Sequence, residues 1–260
     1  MSSAFRGYFP ALAACLFLAG CGDSPSSAVS SPGKTGIRMS ELDAANTGLD
    51  LVLTSGGAPS REILEVKGCG LALIDFDSDG DLDIFAPNGA TLESPERGPG
   101  CRLFENRGGL RFSDATERLG LQLRRWGFGV AVGDYDGDGF DDIYIACYGP
   151  NVLLRNKAGR GFEDVSDVAG VADGSWGTGC AFADTDGDGD LDLYVCNYLS
   201  FDPANPPARA AFKSTEVLGG PLGLPAEHDL LYENLGKGRF RDISKPAGIR
   251  AAPPAYALNV

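Results

Sequence analysis

Three stretches of this sequence carry aspartate at a spacing that suits a metal ion: Asp75 to Asp83, Asp134 to Asp142 and Asp184 to Asp192. Each has Asp at positions 1, 3, 5 and 9 and Gly at position 6. As such a loop curls, alternate carboxylates turn toward one centre, and Gly80, Gly139 and Gly189 supply the positive φ that the curl needs. The expected donors are the carboxylates of Asp75, Asp77, Asp79 and Asp83, of Asp134, Asp136, Asp138 and Asp142, and of Asp184, Asp186, Asp188 and Asp192. Position 7 adds a backbone carbonyl from Asp81, Phe140 or Asp190, and the phenylalanine shows that the side chain there is not needed. Hard oxygen ligands in a flexible loop favour calcium over transition metals, and so large an unhydrated set disfavours magnesium. Three Ca2+ sites are expected.

A helix-loop-helix calcium sensor shares the opening D-x-D-x-D-G, but its twelfth position is a bidentate Glu. Here that position is Ala86, Ile145 or Val195, and no helix signals flank the loops. Solvated Asp-Gly turns would explain one copy. Three copies in one frame point to a cation.

The elements that position the loops repeat with them. Gly70 to Ile74, Gly129 to Gly133 and Gly179 to Ala183 lead into the first Asp, and Ile84-Phe85-Ala86, Ile143-Tyr144-Ile145-Ala146 and Leu193-Tyr194-Val195 follow the ninth position. A third element ends in Asn106, Asn156 and Asn234, and a fourth begins at Phe112, Phe162 and Phe240. Four short strands per unit, recurring every fifty to sixty residues, predict an all-β fold: a β-propeller of four-stranded blades. Another stacked all-β array is the alternative. Ahead of the repeats, Leu49 to Leu53 alternates weakly and is expected as a strand ending in a turn at Gly56-Gly57.

One spacing bears on extent. Asn106 to Asp134 and Asn156 to Asp184 are both 28 residues, and the same step from Asn234 passes Val260 by two. On this reading Leu258-Asn259-Val260 is the strand leading to a fourth loop, and the chain holds about three blades of an incomplete, seven-bladed propeller. The third unit carries an insertion at about residues 199–227, rich in Pro and bearing Arg209 and Lys213.

The formal charge of -14 excludes a nucleic-acid binder, yet 15 of the 36 carboxylates lie in the three loops. Three divalent ions would bring the net charge to about -8. The acidity is thus mostly ligand density. At the N-terminus Arg6 precedes an apolar run around Ala11 to Ala19, too short to span a bilayer. Residues 1–20 are expected to be a signal peptide, and the Ser/Pro-rich residues 21–40 a tether before the repeats at 41–260.

Other candidates for chemistry are sparse. His228 is the only histidine and is read as surface polarity rather than as a catalytic base. Trp126 and Trp176 each stand eight residues before an Asp loop, which suggests blade core rather than a sugar-stacking platform. Five cysteines follow residue 21, at Cys69, Cys101, Cys147, Cys180 and Cys196, with no C-x-x-C, so zinc and haem attachment are not indicated. Cys180 and Cys196 are symmetric about Asp188, so a hairpin there could set them opposite each other for a disulfide; two buried free thiols is the alternative.

The loops and their flanking strands resemble FG-GAP/VCBS repeats, the calcium-bearing blades of integrin-type propellers. Ala72-Leu73-Ile74-Asp75-Phe76-Asp77, Leu103-Phe104-Glu105-Asn106 and Phe112-Ser113-Asp114-Ala115-Thr116 are similar to bacterial proteins that end in an ASPIC/UnbV domain, which is missing from this chain. The resemblance covers about residues 47–260. It implies the same metal ligands: Asp75, Asp77, Asp79, Asp81 and Asp83; Asp134, Asp136, Asp138, Phe140 and Asp142; Asp184, Asp186, Asp188, Asp190 and Asp192. Asp141 departs from the pattern, standing where the other copies have Leu82 and Leu191, and puts the geometry of the second site in question. Leu18-Ala19-Gly20-Cys21 likewise resembles the bacterial lipobox, whose Cys becomes the lipid-modified first residue. The implied function is a lipid-anchored, calcium-binding module for binding or adhesion at the bacterial cell envelope. Its implied partners are the membrane through the lipid and a protein or glycan ligand at the cell surface. A calcium-dependent polysaccharide lyase or hydrolase is the alternative.

Overall fold

The computed structural model describes residues 40–217, 219, 221 and 223–260. The expected signal peptide, the lipidation site at Cys21 and nearly all of the tether lie outside the described residues. The chain divides into Met1–Asp43, of which residues 40–43 are described and form no helix or strand, and Ala44–Val260. No helix among the described residues is long and apolar enough to cross a membrane.

Within Ala44–Val260 the fold is all-β and built from four-stranded antiparallel sheets. The first runs β1 (Ala72–Ile74), β2 (Asp83–Ala86), β3 (Arg102–Asn106), β4 (Phe112–Asp114), and the second β5 (Trp126–Gly133), β6 (Asp142–Tyr148), β7 (Val152–Asn156), β8 (Phe162–Asp164). The third comprises β9 (Gly177–Ala183), β10 (Asp192–Asn197), β13 (Leu230–Asn234) and β14 (Phe240–Asp242). Between β10 and β13 the insertion folds back as its own hairpin, β11 (Ala210–Phe212) with β12 (Thr215–Val217), and a bridge from Leu199 to Ala226 closes its base. These meandering sheets are the expected blades.

The stacking of the sheets follows from the central strands. In β6 successive side chains point to opposite faces: Ile143, Ile145 and Cys147 join Phe85, Leu103 and Ile74 of the first sheet, whereas Tyr144 and Ala146 join Leu193, Val195 and Tyr232 of the third. Both faces of β6 are therefore covered, which is why its sequence is a continuous apolar run rather than an alternation. Each fully buried Ile or Leu adds about 1.5–3 kcal/mol. The leading strands come still closer. A Cβ on Gly129 of β5 would stand 2.8 Å from the Cα of Gly179 in β9, so the contact admits only glycine. A third cluster gathers Trp126, Phe128, Trp176 and Tyr198 with Ile63 and Leu64. The tryptophans are 1% and 2% exposed, as expected of blade core.

Two expectations need correction, and the strand register decides between the two readings of Cys180 and Cys196. Residues 49–53 form no strand; the Asn88 side chain accepts from Thr54 N (2.8 Å) and donates to Val52 O (3.1 Å), satisfying this extended segment without a ladder. The turn at Gly56 does form, with φ 70°. Leu258–Val260 is not a strand either: it lies against β9, where Ala257 O accepts from the Thr178 hydroxyl (2.9 Å), but no described residue forms a ladder with it. Finally, Cys180 does not face Cys196. The β9–β10 register pairs Val195 with Cys180 and Cys196 with Gly179, and an offset of one residue puts the two thiols on opposite faces of the sheet. All five described cysteines are free.

Candidate metal centre

Each Asp loop joins the first two strands of a sheet in one register: Ile74 pairs with Asp83, Gly133 with Asp142 and Ala183 with Asp192. The residue before position 1 thus always faces position 9, and the eight residues between must curl. Gly80, Gly139 and Gly189 take φ of 89°, 90° and 97°, the left-handed turn that position 6 was expected to supply.

The first carboxylate organises that curl. Asp75 accepts from the amides of Asp79 (3.0 Å) and Gly80 (3.1 Å), and Asp134 from Asp138 (3.0 Å) and Gly139 (2.8 Å). Asp184 accepts from Gly187 (2.6 Å) and Gly189 (3.1 Å). The fifth position caps the seventh, as Asp79, Asp138 and Asp188 each accept from the amide two residues on, at 2.9, 3.0 and 2.9 Å. The ninth is an anchor to the sheet. Asp83 accepts from Phe76 N (3.3 Å) and Asn106 N (2.7 Å), Asp142 from Tyr135 N (3.2 Å) and Asn156 N (2.7 Å), and Asp192 from Thr185 N (3.1 Å) and Asn234 N (2.8 Å).

Three oxygen donors converge in each loop, with ligand atoms within 4.8 Å of one another: Asp75, Asp77 and Asp83; Asp134, Asp136 and Asp142; Asp184, Asp186 and Asp188. Two oxygens at 2.3–2.6 Å from one calcium ion can be at most about 5 Å apart, so this spacing fits such an ion. Asp79 and Asp138 are in the loops but outside the converging triads, which comprise side-chain donors only, whereas the expected donors at Asp81, Phe140 and Asp190 are backbone carbonyls. Asp192 is also outside, and the Thr185 hydroxyl bonds to its Oδ2.

The electrostatics also fit a cation. Oδ1 of Asp77 and Oδ1 of Asp136, both at position 3, are buried and have no hydrogen-bond partner. A carboxylate oxygen in that state is costly unless a positive charge meets it. Burial pushes the Asp83 carboxyl up to about 6 and that of Asp142 up to about 8, against the pull of the amides each accepts from. Burial and then the neighbouring Asp79 raise Asp77, and burial and then Asp138 raise Asp136. Removing this strain by ionic pairing is what a divalent ion would supply.

Sequence reasoning missed the asparagines that close the third strands. Asn156 Nδ2 donates to Phe76 O (2.8 Å) in the first loop and to Asp141 O (3.0 Å) in its own, and Asn234 Nδ2 does the same to Tyr135 O (2.8 Å) and Leu191 O (3.0 Å). The visible signal was an Asn at the end of each third strand, 28 residues before a loop at Asn106 and Asn156. The turn after β7 completes the cover, as a Cβ on Gly159 would stand 3.0 Å from the Cα of Asp77. By contrast Asp184, Asp186 and Asp188 are exposed, beside an open cleft of about 510 Å³ bordered by Thr185, Glu233 and Arg241. His228 is half-buried ahead of β13, and its carbonyl accepts from Asn197 Nδ2 (3.0 Å).

Fold and site together define an all-β repeat protein with an acidic, cation-ready loop in each sheet. Residues 75–145 and 134–195, which span the three loops, match the FG-GAP-like repeat. No curated protein matches the sequence. Among solved structures it is similar to an Agrocybe aegerita lectin described for specific recognition of non-reducing terminal N-acetylglucosamine, at 17% identity and a TM-score of 0.34. That likeness covers 66% of this chain and 36% of the lectin, so the chain spans about a third of that protein's length.

Proposed function

We propose that this chain is a calcium-binding FG-GAP repeat module whose ions are structural, held on the bacterial cell envelope by a lipid on Cys21, and that it works by binding a protein or glycan rather than by catalysis. The ions would be held by Asp75, Asp77 and Asp83, by Asp134, Asp136 and Asp142, and by Asp184, Asp186 and Asp188, with the remaining loop oxygens as further donors. The observation that carries the calcium reading is the pair of buried, partnerless oxygens on Asp77 and Asp136. The binding role is supported by the repeat family, and the envelope location by the lipobox-like Leu18-Ala19-Gly20-Cys21.

At millimolar calcium and a dissociation constant of about 0.1 mM, in the range of extracellular modules, each site adds about 1.4 kcal/mol. The melting temperature should therefore fall in chelator and recover with added calcium, and Asp136→Asn should remove about one site's share. Melting that is indifferent to chelator would sink the calcium reading. The anchor is tested separately, by incorporation of radiolabelled palmitate into the expressed full-length protein and its loss in Cys21→Ser.

A further inference from the structure

The aspartate that breaks the repeat pattern, Asp141, points away from the function its position suggests. It occupies position 8 of the second loop, and position 8 belongs spatially to the preceding loop. The third loop shows the geometry with a leucine: the Cδ1 of Leu191 stands 2.9 Å from where a Cβ on Gly133 would be, and Gly133 immediately precedes Asp134 of the second loop. Asn234 Nδ2 fixes this arrangement by bonding Leu191 O and Tyr135 O together. Asn156 makes the equivalent pair of bonds to Asp141 O and Phe76 O one sheet earlier. Asp141 therefore comes to the entrance of the first loop, its backbone carbonyl tied through Asn156 to that of Phe76, the residue after Asp75.

We propose that Asp141 serves the first cation site across the sheet boundary, placing one more negative charge beside the ion, so that the first site binds calcium more tightly than the second. The inference rests on the calcium reading above. The second site has no such neighbour, because the residue reaching it is Leu191. The charge acts on the ion without joining the converging triad of Asp75, Asp77 and Asp83. Leucine at this position in both other loops shows that the repeat tolerates an apolar group there.

The test is a calcium titration by calorimetry of the purified protein and its variants. Asp141→Asn keeps the shape and removes the charge. Asp141→Leu restores the residue of the other repeats. Each is made in three backgrounds: the parent, Asp77→Asn to disable the first site, and Asp136→Asn to disable the second. One charge near a divalent ion in a partly solvated site corresponds to roughly a fivefold to tenfold change in affinity. That weakening is expected in the parent and in Asp136→Asn, and it should vanish in Asp77→Asn. Melting temperatures at saturating calcium verify that the variants are folded. Weakening that persists in Asp77→Asn and disappears in Asp136→Asn would overturn the assignment in favour of the second loop, and unchanged affinity in every background would overturn it outright. A parent protein that takes up no calcium would instead refute the calcium reading on which the inference stands.

Discussion

The side-chain amide of Asn156, the last residue of β7, donates to the carbonyl of Phe76, 80 residues earlier and one sheet away, at 2.8 Å. The same nitrogen donates to Asp141 O, and its Oδ1 accepts from Gly159 N at 2.9 Å. One buried side chain thus fastens the first Asp loop to the second and to the turn that covers it. The loops are joints between sheets as well as ion sites.

Replacing Asn156 by alanine removes those bonds and leaves two carbonyls short of a donor in a region closed to water. At about 1 kcal/mol per bond plus the penalty for orphaned groups, the expected loss is about 2–4 kcal/mol. Asn234→Ala should cost a similar amount, since Asn234 bridges Tyr135 and Leu191 in the same way. Asn106 is half-buried, donates only within its own sheet to Leu82 O (2.9 Å) and accepts from Gly108 N (2.9 Å), so Asn106→Ala should cost about 1–2 kcal/mol. Urea unfolding of the three variants at saturating calcium checks the ranking. Equal losses at all three positions would show that the inter-sheet bond carries no weight.

The raised carboxyls of the loops set a pH dependence with a definite sign. Burial puts the folded-state values of Asp83 and Asp142 at about 6 and about 8, above the value of about 3.9 for an unfolded Asp. Between those limits the ion-free fold binds more protons than the unfolded chain, so stability falls as pH rises. The contribution is fully present below about pH 4 and is lost through about 6 for Asp83 and about 8 for Asp142. Calcium competes with these protons. Ion-free protein should therefore melt at progressively lower temperature from pH 5 to pH 8, calcium should flatten or reverse that slope, and calcium uptake near pH 7 should release protons into a weak buffer. A melting temperature in chelator that rises over this range would contradict the assignment.

Much of this was legible because the repeat is written in residue types whose physics is local. An Asp at every second position, a Gly at the sixth and apolar strands on either side determine a curled hairpin whatever surrounds it. Burial of Trp126 and Trp176 followed from their fixed distance to the loops. Properties set by neighbouring sheets were not legible. The direction of Asp141 depends on a sheet boundary that the chain order does not reveal, and nothing in the repeat pattern marks Asp192 as the ninth-position carboxylate outside its triad. Leu49 to Leu53 carries a strand-like alternation, but its polar groups find Asn88 instead of a neighbouring strand. Symmetry about Asp188 suggested a Cys180–Cys196 bridge because the true register differs from that symmetry by a single residue.

That register leads to a prediction about the thiols. Cys180 lies opposite Val195 and its Sγ reaches Tyr144 O (3.8 Å) across to the second sheet, while Cys196 pairs with Gly179. A bridge between them would need one side chain to cross the sheet, which disulfide geometry forbids without backbone movement. Burial pushes the thiols of Cys69, Cys101 and Cys180 up to about 12 and that of Cys196 up to about 11, so little thiolate exists at neutral pH. Iodoacetamide at pH 8 should label these cysteines slowly in the native protein and rapidly after urea unfolding, and reductant should leave the melting temperature unchanged. Peptide mapping decides the point directly: a cross-linked Cys180–Cys196 peptide from protein purified without reductant would show that the strands slide by one residue and that the observed register is not the one the oxidised protein keeps.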